Sequence, residues 1–149
     1  MFAIENFLDQ TVTGQLDTKV VPIPVGEYRA ALKEIKARTW KSKDDPTNTG
    51  VALDIFWVID DPELAETLGR KELLVKQGIM LDVDDNGRLL VEKGKNIGLG
   101  RLREALNMND PKKPFSFNQL PGNVAKVLVT HRIVGEDIFA EVKSVARAG

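Results

Sequence analysis

The residues best equipped for chemistry in this chain are aromatic side chains set among cations. In "ARTWKSKDDPTNTGVALDIFWVID", residues 37–60, Trp40 follows Lys36 and Arg38 and precedes Lys41 and Lys43, and Phe56 stands in the apolar run beyond. From Arg29 to Lys43 six basic residues stand against one acid, Glu34. Cations at such density can follow a phosphodiester chain, and flat side chains between them can take bases, each stack contributing about 1–3 kcal/mol. A later run adds Lys76 and an outward Met80. Two plainer readings compete: a solvated strand face carries such a strip by chance, and Trp40 could close the end of a small barrel. Phe56 could likewise serve as cover for a helix or for the N-terminal arm.

Other motifs offer less. "DVDDNG" opens like a calcium loop at Asp82, Asp84, Asn86 and Gly87, but the position that needs a bidentate glutamate holds Lys93, so the segment reads as a hairpin turn. "GLGRL" lacks the glycine spacing of a dinucleotide fingerprint, and no lysine follows a phosphate-cradling loop. His131 is the one histidine, which limits triads and histidine metal sites to a single residue and favours a structural, partly buried role beside Arg132. Asp54, Asp60 and Asp82 are scattered acids that two metals could gather in a nuclease, without a compact motif to support it. The expectation is a protein that is not an enzyme, with no catalytic residue, metal or cofactor.

The chain that must position these side chains has 149 residues, 42% of them hydrophobic, enough for one domain that buries roughly two thirds of its unfolded surface. It has no cysteine, so its core stands without disulfides or thiolate metal sites. The start "MFAIENFLDQTVTG" lacks the basic flank and apolar run of a secretion signal, and no stretch approaches the roughly 18 apolar residues of a membrane span. A cytoplasmic location without membrane partners is expected. With 21 basic and 22 acidic residues the whole chain is near neutral, but the acids gather at Asp60–Glu66 and Asp82–Asp85, apart from the basic strip.

Residues 1–21 read as a polar arm, and "VPIPVGEY" leads from it into a first strand. Tyr28, Ala30 and Leu32 share one parity, and Ile35 and Ala37 share the other, so this strand should carry a bulge. A helix competes there, because Ala31, Leu32 and Ile35 also fall at helical spacing. After the turn-rich "KSKDDPTNTG", Val51, Leu53, Ile55, Trp57 and Ile59 alternate as the core face of a second strand, with Phe56 and Val58 opposite. "DPELAETLG" suggests a short helix capped by Asp60 or Asp61 and closed by Gly69. "ELLVKQGIMLDV" follows as a third strand with Val75, Ile79 and Leu81 inward, then the turn and a short strand "RLLVE". Leu99, Leu102 and Leu106 share one face of a helix, and Phe115 and Phe117 in the Pro-rich connector suit barrel plugs. The chain closes on two strands, with Ala125, Val127 and Val129 inward on the first and Ile138, Ala140 and Val142 inward on the second.

Five short strands with a helix between the third and fourth predict a mainly β, five-stranded Greek-key barrel of the OB-fold type, which binds oligonucleotides across strands two and three. "FLDQTV", "PIPVGEYRAAL", the "W.SK" exit, "G.ALDIFWVID", "GRLREALNM" and "LPGNVAKVLVTHRIVGEDIFAEVKSV" together resemble phage-encoded OB-fold single-stranded DNA-binding proteins, over most of the chain. The resemblance implies coating of single-stranded DNA during replication or recombination in the infected cell's cytoplasm, alongside replication or recombination proteins. The chain departs from the pattern at its end, where "EVKSVARAG" stands instead of an acidic recruiting tail. DNA-binding residues are expected at Lys36, Arg38, Trp40, Lys41, Lys43, Phe56 and Lys76. The alternatives are a protein-interaction or structural barrel and, third, the metal-dependent nuclease. Edge strands leave homo-oligomer formation open.

Overall fold

The computed structural model describes residues 3–45, 47 and 49–148. Pro46 and Asn48 of the expected turn loop, and Met1 and Phe2 of the expected arm, lie outside the described residues. The chain is mainly β. Its strands are β1 (Gly26–Lys41), β2 (Thr49–Ile59), β3 (Leu73–Leu81), β4 (Val124–Val134) and β5 (Asp137–Ala146), with helices α1 (Pro62–Leu68) after β2 and α2 (Ile97–Ala105) after β3. The sheet closes in the order β1-β2-β3-β5-β4 and back to β1. Every pairing is antiparallel except β3 with β5, which run parallel and share the registered pair Lys76–Glu141.

β1 is long enough to serve two neighbours. Gly26–Ala31 pair with β4, and Ala30–Lys41 pair with β2. The bulge expected from the parity switch is present: Leu32 pairs with Trp57 and Glu34 with Phe56, leaving Lys33 as the extra residue. The side-chain period of a strand is two, so one inserted residue reverses the faces of everything that follows. Ala30 and Leu32 are therefore buried before the bulge, while Lys36 and Arg38 are exposed after it.

The interior takes Leu53, Ile55, Trp57 and Ile59 from β2, Leu73, Val75, Ile79 and Leu81 from β3, and Ala125, Val127 and Val129 from β4, as their alternation predicts. Each large aliphatic side chain so buried stabilises the fold by about 1.5–3 kcal/mol. Trp57 is 0% exposed, and its indole Nε1 donates to Gln77 Oε1 at 2.9 Å. Both polar groups are thus satisfied inside the ring.

The helices end where their caps dictate. Asp61 accepts from the Leu64 amide at 3.1 Å, Pro62 occupies the first turn of α1, and Gly69 stops it with φ 65° in the left-handed region. α2 presents Leu99, Leu102 and Ala105 to the core, with Leu106 buried at its end. Gly98 allows its close approach to β3, since a Cβ there would lie 3.1 Å from Ile79 Cγ2. Asp82 and Asn96 clamp the start of α2 to the end of β3. The Asp82 amide donates to Asn96 Oδ1 and the Asn96 amide to Asp82 Oδ2, each at 2.8 Å.

Three expectations change. "RLLVE" forms no strand, because its β pairing stops at an isolated bridge of Leu89 to Val83, made by the Leu90 amide on the Asp82 carbonyl and the Asp84 amide on the Arg88 carbonyl, and Asn96 Nδ2 donates to the Leu90 carbonyl. Ile138 is 45% exposed instead of buried, because the far end of the β4–β5 hairpin projects past the rest of the sheet. His131 is exposed rather than partly buried, yet its role is structural. Its Nε2 lies 2.7 Å from the Ile23 carbonyl, which can only accept, so the ring donates there and pins the incoming chain to β4. Lys19 Nζ donates to the Glu136 carbonyl and an Arg70 Nη2 to that of Val21, fixing the same segment. Phe115 and Phe117 meet edge to face, with centroids 5.5 Å apart, and pack half-buried against the core. Among the described residues, no helix is long and apolar enough to cross a membrane.

Candidate nucleic-acid interface

The β1 bulge, the β1–β2 register and the β2–β3 register together decide which side chains share the outer face of the sheet. Following them outward, β1 contributes Glu34, Lys36, Arg38 and Trp40; β2 contributes Phe56, Asp54, Ala52 and Gly50; and β3 contributes Lys76, Gly78 and Met80. Five of the seven residues singled out from the sequence, Lys36, Arg38, Trp40, Phe56 and Lys76, therefore lie on one three-stranded surface. Lys41 has the opposite parity and pairs with Thr49, and Lys43 sits in the loop beyond, so both flank this surface rather than lie on it.

Small side chains make the middle of the surface shallow and let large ones lie across it. Trp40 registers with Gly50, and a Cβ on Gly50 would come 2.6 Å from the indole Nε1 and 2.7 Å from Cε2. Only glycine lets the indole settle there. Trp40 is half-buried as a result, on the outer surface and not over the end of the interior. Its Nε1 is screened from solvent and finds no hydrogen-bond partner among the described residues. Ala52, between Arg38 and Met80 in register, is fully covered.

Asp54 organises the cations. It is 6% exposed even though it belongs to the outer face. Arg38 Nε donates to its Oδ2 at 2.9 Å, and Lys76 Nζ stands 3.5 Å from its Oδ1. These are diagonal neighbours from the two flanking strands, a placement in which opposite charges favour the pairing. The carboxylate holds both cations in the plane of the sheet and offsets part of their charge. Lys36 Nζ lies 5.4 Å from the centroid of the Phe56 ring, a cation–π contact that stations both side chains. Lys33, the bulge residue, is drawn away toward the start of β3. Its Nζ meets Glu72 Oε1 at 2.8 Å, and that hydrogen bond and charge push its ammonium above the usual lysine range. In the β1–β2 loop, the Thr47 hydroxyl and amide donate to Asp45 Oδ1 and hold that carboxyl below the usual range.

The arrangement supplies cations, an indole and a phenyl ring on a shallow floor. Sequence reading had grouped Asp54 only with Asp60 and Asp82 as scattered acids, and missed its placement between Arg38 and Lys76. The signal was its alternation with Phe56 and Val58 on the non-core parity of β2, but its partners depend on registers that sequence does not disclose. No group of three or more His, Asp or Glu placed to hold a metal ion is found among the described residues. "DVDDNG" is the turn expected of it, with Asp84 Oδ1 accepting the Asn86 and Arg88 amides. Neither the protein-family models nor the curated proteins compared with this chain match it.

Proposed function

We propose that this chain is an OB-fold protein that binds single-stranded DNA with little sequence preference, using the outer face of β1, β2 and β3. The observation that carries the reading is the bulge at Lys33. It turns Lys36, Arg38 and Trp40 outward, onto the same face as Phe56 and Lys76. Cations with interleaved aromatic planes on a β surface suit a flexible polyanion whose bases are free to stack. The ring order, with α2 between the third and fourth strands, agrees with the OB arrangement and its use of strands two and three. The sequence resemblance points the same way and adds phage replication or recombination in the infected cell as the setting, with the proteins of those processes as partners. Lys41 and Lys43 extend the cations into the loop at one end of the face.

The test is a titration with unlabelled oligothymidylate at low and high salt, following tryptophan emission. Trp57 is sealed in the core and Trp40 is not, so Trp57→Phe isolates the reporting residue. Saturable quenching that weakens with salt is the expected result. An unchanged signal at both salts, together with no gel shift, would remove DNA from the reading. It would leave a protein-interaction surface, which the exposed Ile133, Val134, Ile138 and Phe139 of the β4–β5 hairpin favour as the second reading.

A further inference from the structure

The ring is least firmly joined where β3 meets β5. Beyond Lys76–Glu141 the two strands part, and the gap is an open groove of about 570 Å³ lined by Gly78 and Met80 of β3, Arg101 and Glu104 of α2, and Lys143 and Arg147 at the end of β5. Three cations face one acid in this lining. Arg147 Nη2 meets Glu104 Oε1 at 2.7 Å, which occupies that acid, and Arg101 and Lys143 form no ion pair among the described residues.

Two backbone features tie the groove to the outer face. β5 slips register where Leu128 pairs with Ser144 and Val129 with Val142, so Lys143 is the extra residue of a bulge. Bulges re-aim side chains, and this one sets a lysine on the groove. Gly78 and Met80 belong to both places, because Gly78 registers with Asp54 and Met80 with Ala52 on the outer face. A Cβ at Gly78 would meet nothing within 4 Å. Packing does not call for glycine at that position, and its absent side chain leaves a low passage between face and groove. The face itself has a modest charge excess, since Glu34 and Asp54 stand against Lys36, Arg38 and Lys76.

We infer that a bound single strand crosses β3 at Gly78 and continues into the groove, where Arg101 and Lys143 take its backbone phosphates. The inference rests on the single-stranded DNA reading above and supplies the cations that the outer face lacks.

The experiment compares the unmodified protein with the Arg101→Ala/Lys143→Ala double variant on oligothymidylates of about 4 and about 16 nucleotides, the extremes expected for one OB fold. Both side chains are exposed, and a thermal melt of each protein checks that the fold is kept. Binding of the short strand should be unchanged. For the long strand, the slope of log affinity against log salt should fall by about 0.7 per lost phosphate contact, hence about 1.4 for the pair. A long-strand slope equal to that of the unmodified protein would overturn the inference and leave the function standing. Equal losses at both lengths would overturn it too, because the two cations would then belong to the primary site. Absence of binding by the unmodified protein would remove the function itself and the inference with it. A groove that instead takes an extended peptide along its free strand edges would appear as the first of these outcomes.

Discussion

Trp40 and Asp54 show how single residues set the properties of the outer face. The indole of Trp40 rests on Gly50 with no room for a Cβ beneath it, so its position is held by the sheet before any ligand arrives. Replacing Trp40 with alanine should weaken binding of any single-stranded sequence by about 1–3 kcal/mol, the value of one base stack. Gly50→Ala leaves every charge in place and displaces the ring, so it should reproduce part of that loss. Calorimetric titration would decide, and equal affinities for all three proteins would sink the role of Trp40. Asp54 acts in the opposite sense, because its buried carboxylate holds Arg38 and Lys76 while repelling phosphate. Asp54→Asn should cost about 1 kcal/mol of stability through the weakened contact to half-exposed partners. It should tighten DNA binding by on the order of 1 kcal/mol, roughly fivefold. Denaturant melts and titrations of the same samples separate the two effects, and weaker binding by the variant would show that Asp54 serves mainly to position Arg38.

At the scale of elements, the β1 bulge matters more than the identity of the residue in it. Lys33→Ala removes only an exposed, solvent-screened ion pair with Glu72 and should leave the unfolding midpoint nearly unchanged. Inserting an alanine between Glu34 and Ile35 shifts the alternation by one residue and drives Lys36, Arg38 and Trp40 toward the core if β2 keeps its register. Burying those charges should cost more than about 4 kcal/mol, enough to abolish a cooperative transition. Urea unfolding would show it, and an insertion variant with ordinary stability and binding would mean that the strand absorbs the added residue by enlarging its bulge. This bulge was legible in the sequence because it leaves a trace, two apolar parities within one strand. The β2, β3 and β4 core faces were legible for the same reason, as was α2 from the spacing of Leu99 and Leu102. "RLLVE" misled because strand propensity is local, whereas a strand needs a neighbour, and Leu89 has only its isolated bridge to Val83. Ile138 misled because alternation names a face without saying whether anything covers it. The meeting of Arg38, Asp54 and Lys76 could not be read at all, since it depends on two inter-strand registers at once.

Over the whole molecule, charges that nearly cancel in sum are grouped by sign along the chain, and this makes stability a reporter of binding. The net charge of −1 conceals a basic strip on β1 and acids gathered at 60–66 and 82–85, so a polyanion can bind one region without opposition from the total. A ligand that binds only the folded chain stabilises it by about 2.7 kcal/mol at a hundredfold excess over its dissociation constant. For a chain of this length 1 kcal/mol moves the midpoint by roughly 2–4 °C, so saturating oligothymidylate should raise it by roughly 5–11 °C. The rise should shrink as salt is added, because each phosphate contact gives up its gain when counterions are abundant. A protein-interaction surface would show no such rise with oligonucleotide at any salt. A rise that persisted undiminished in high salt would point to stacking on Trp40 and Phe56 as the main attraction, with the cations of β1 and β3 serving chiefly to keep the sheet surface open.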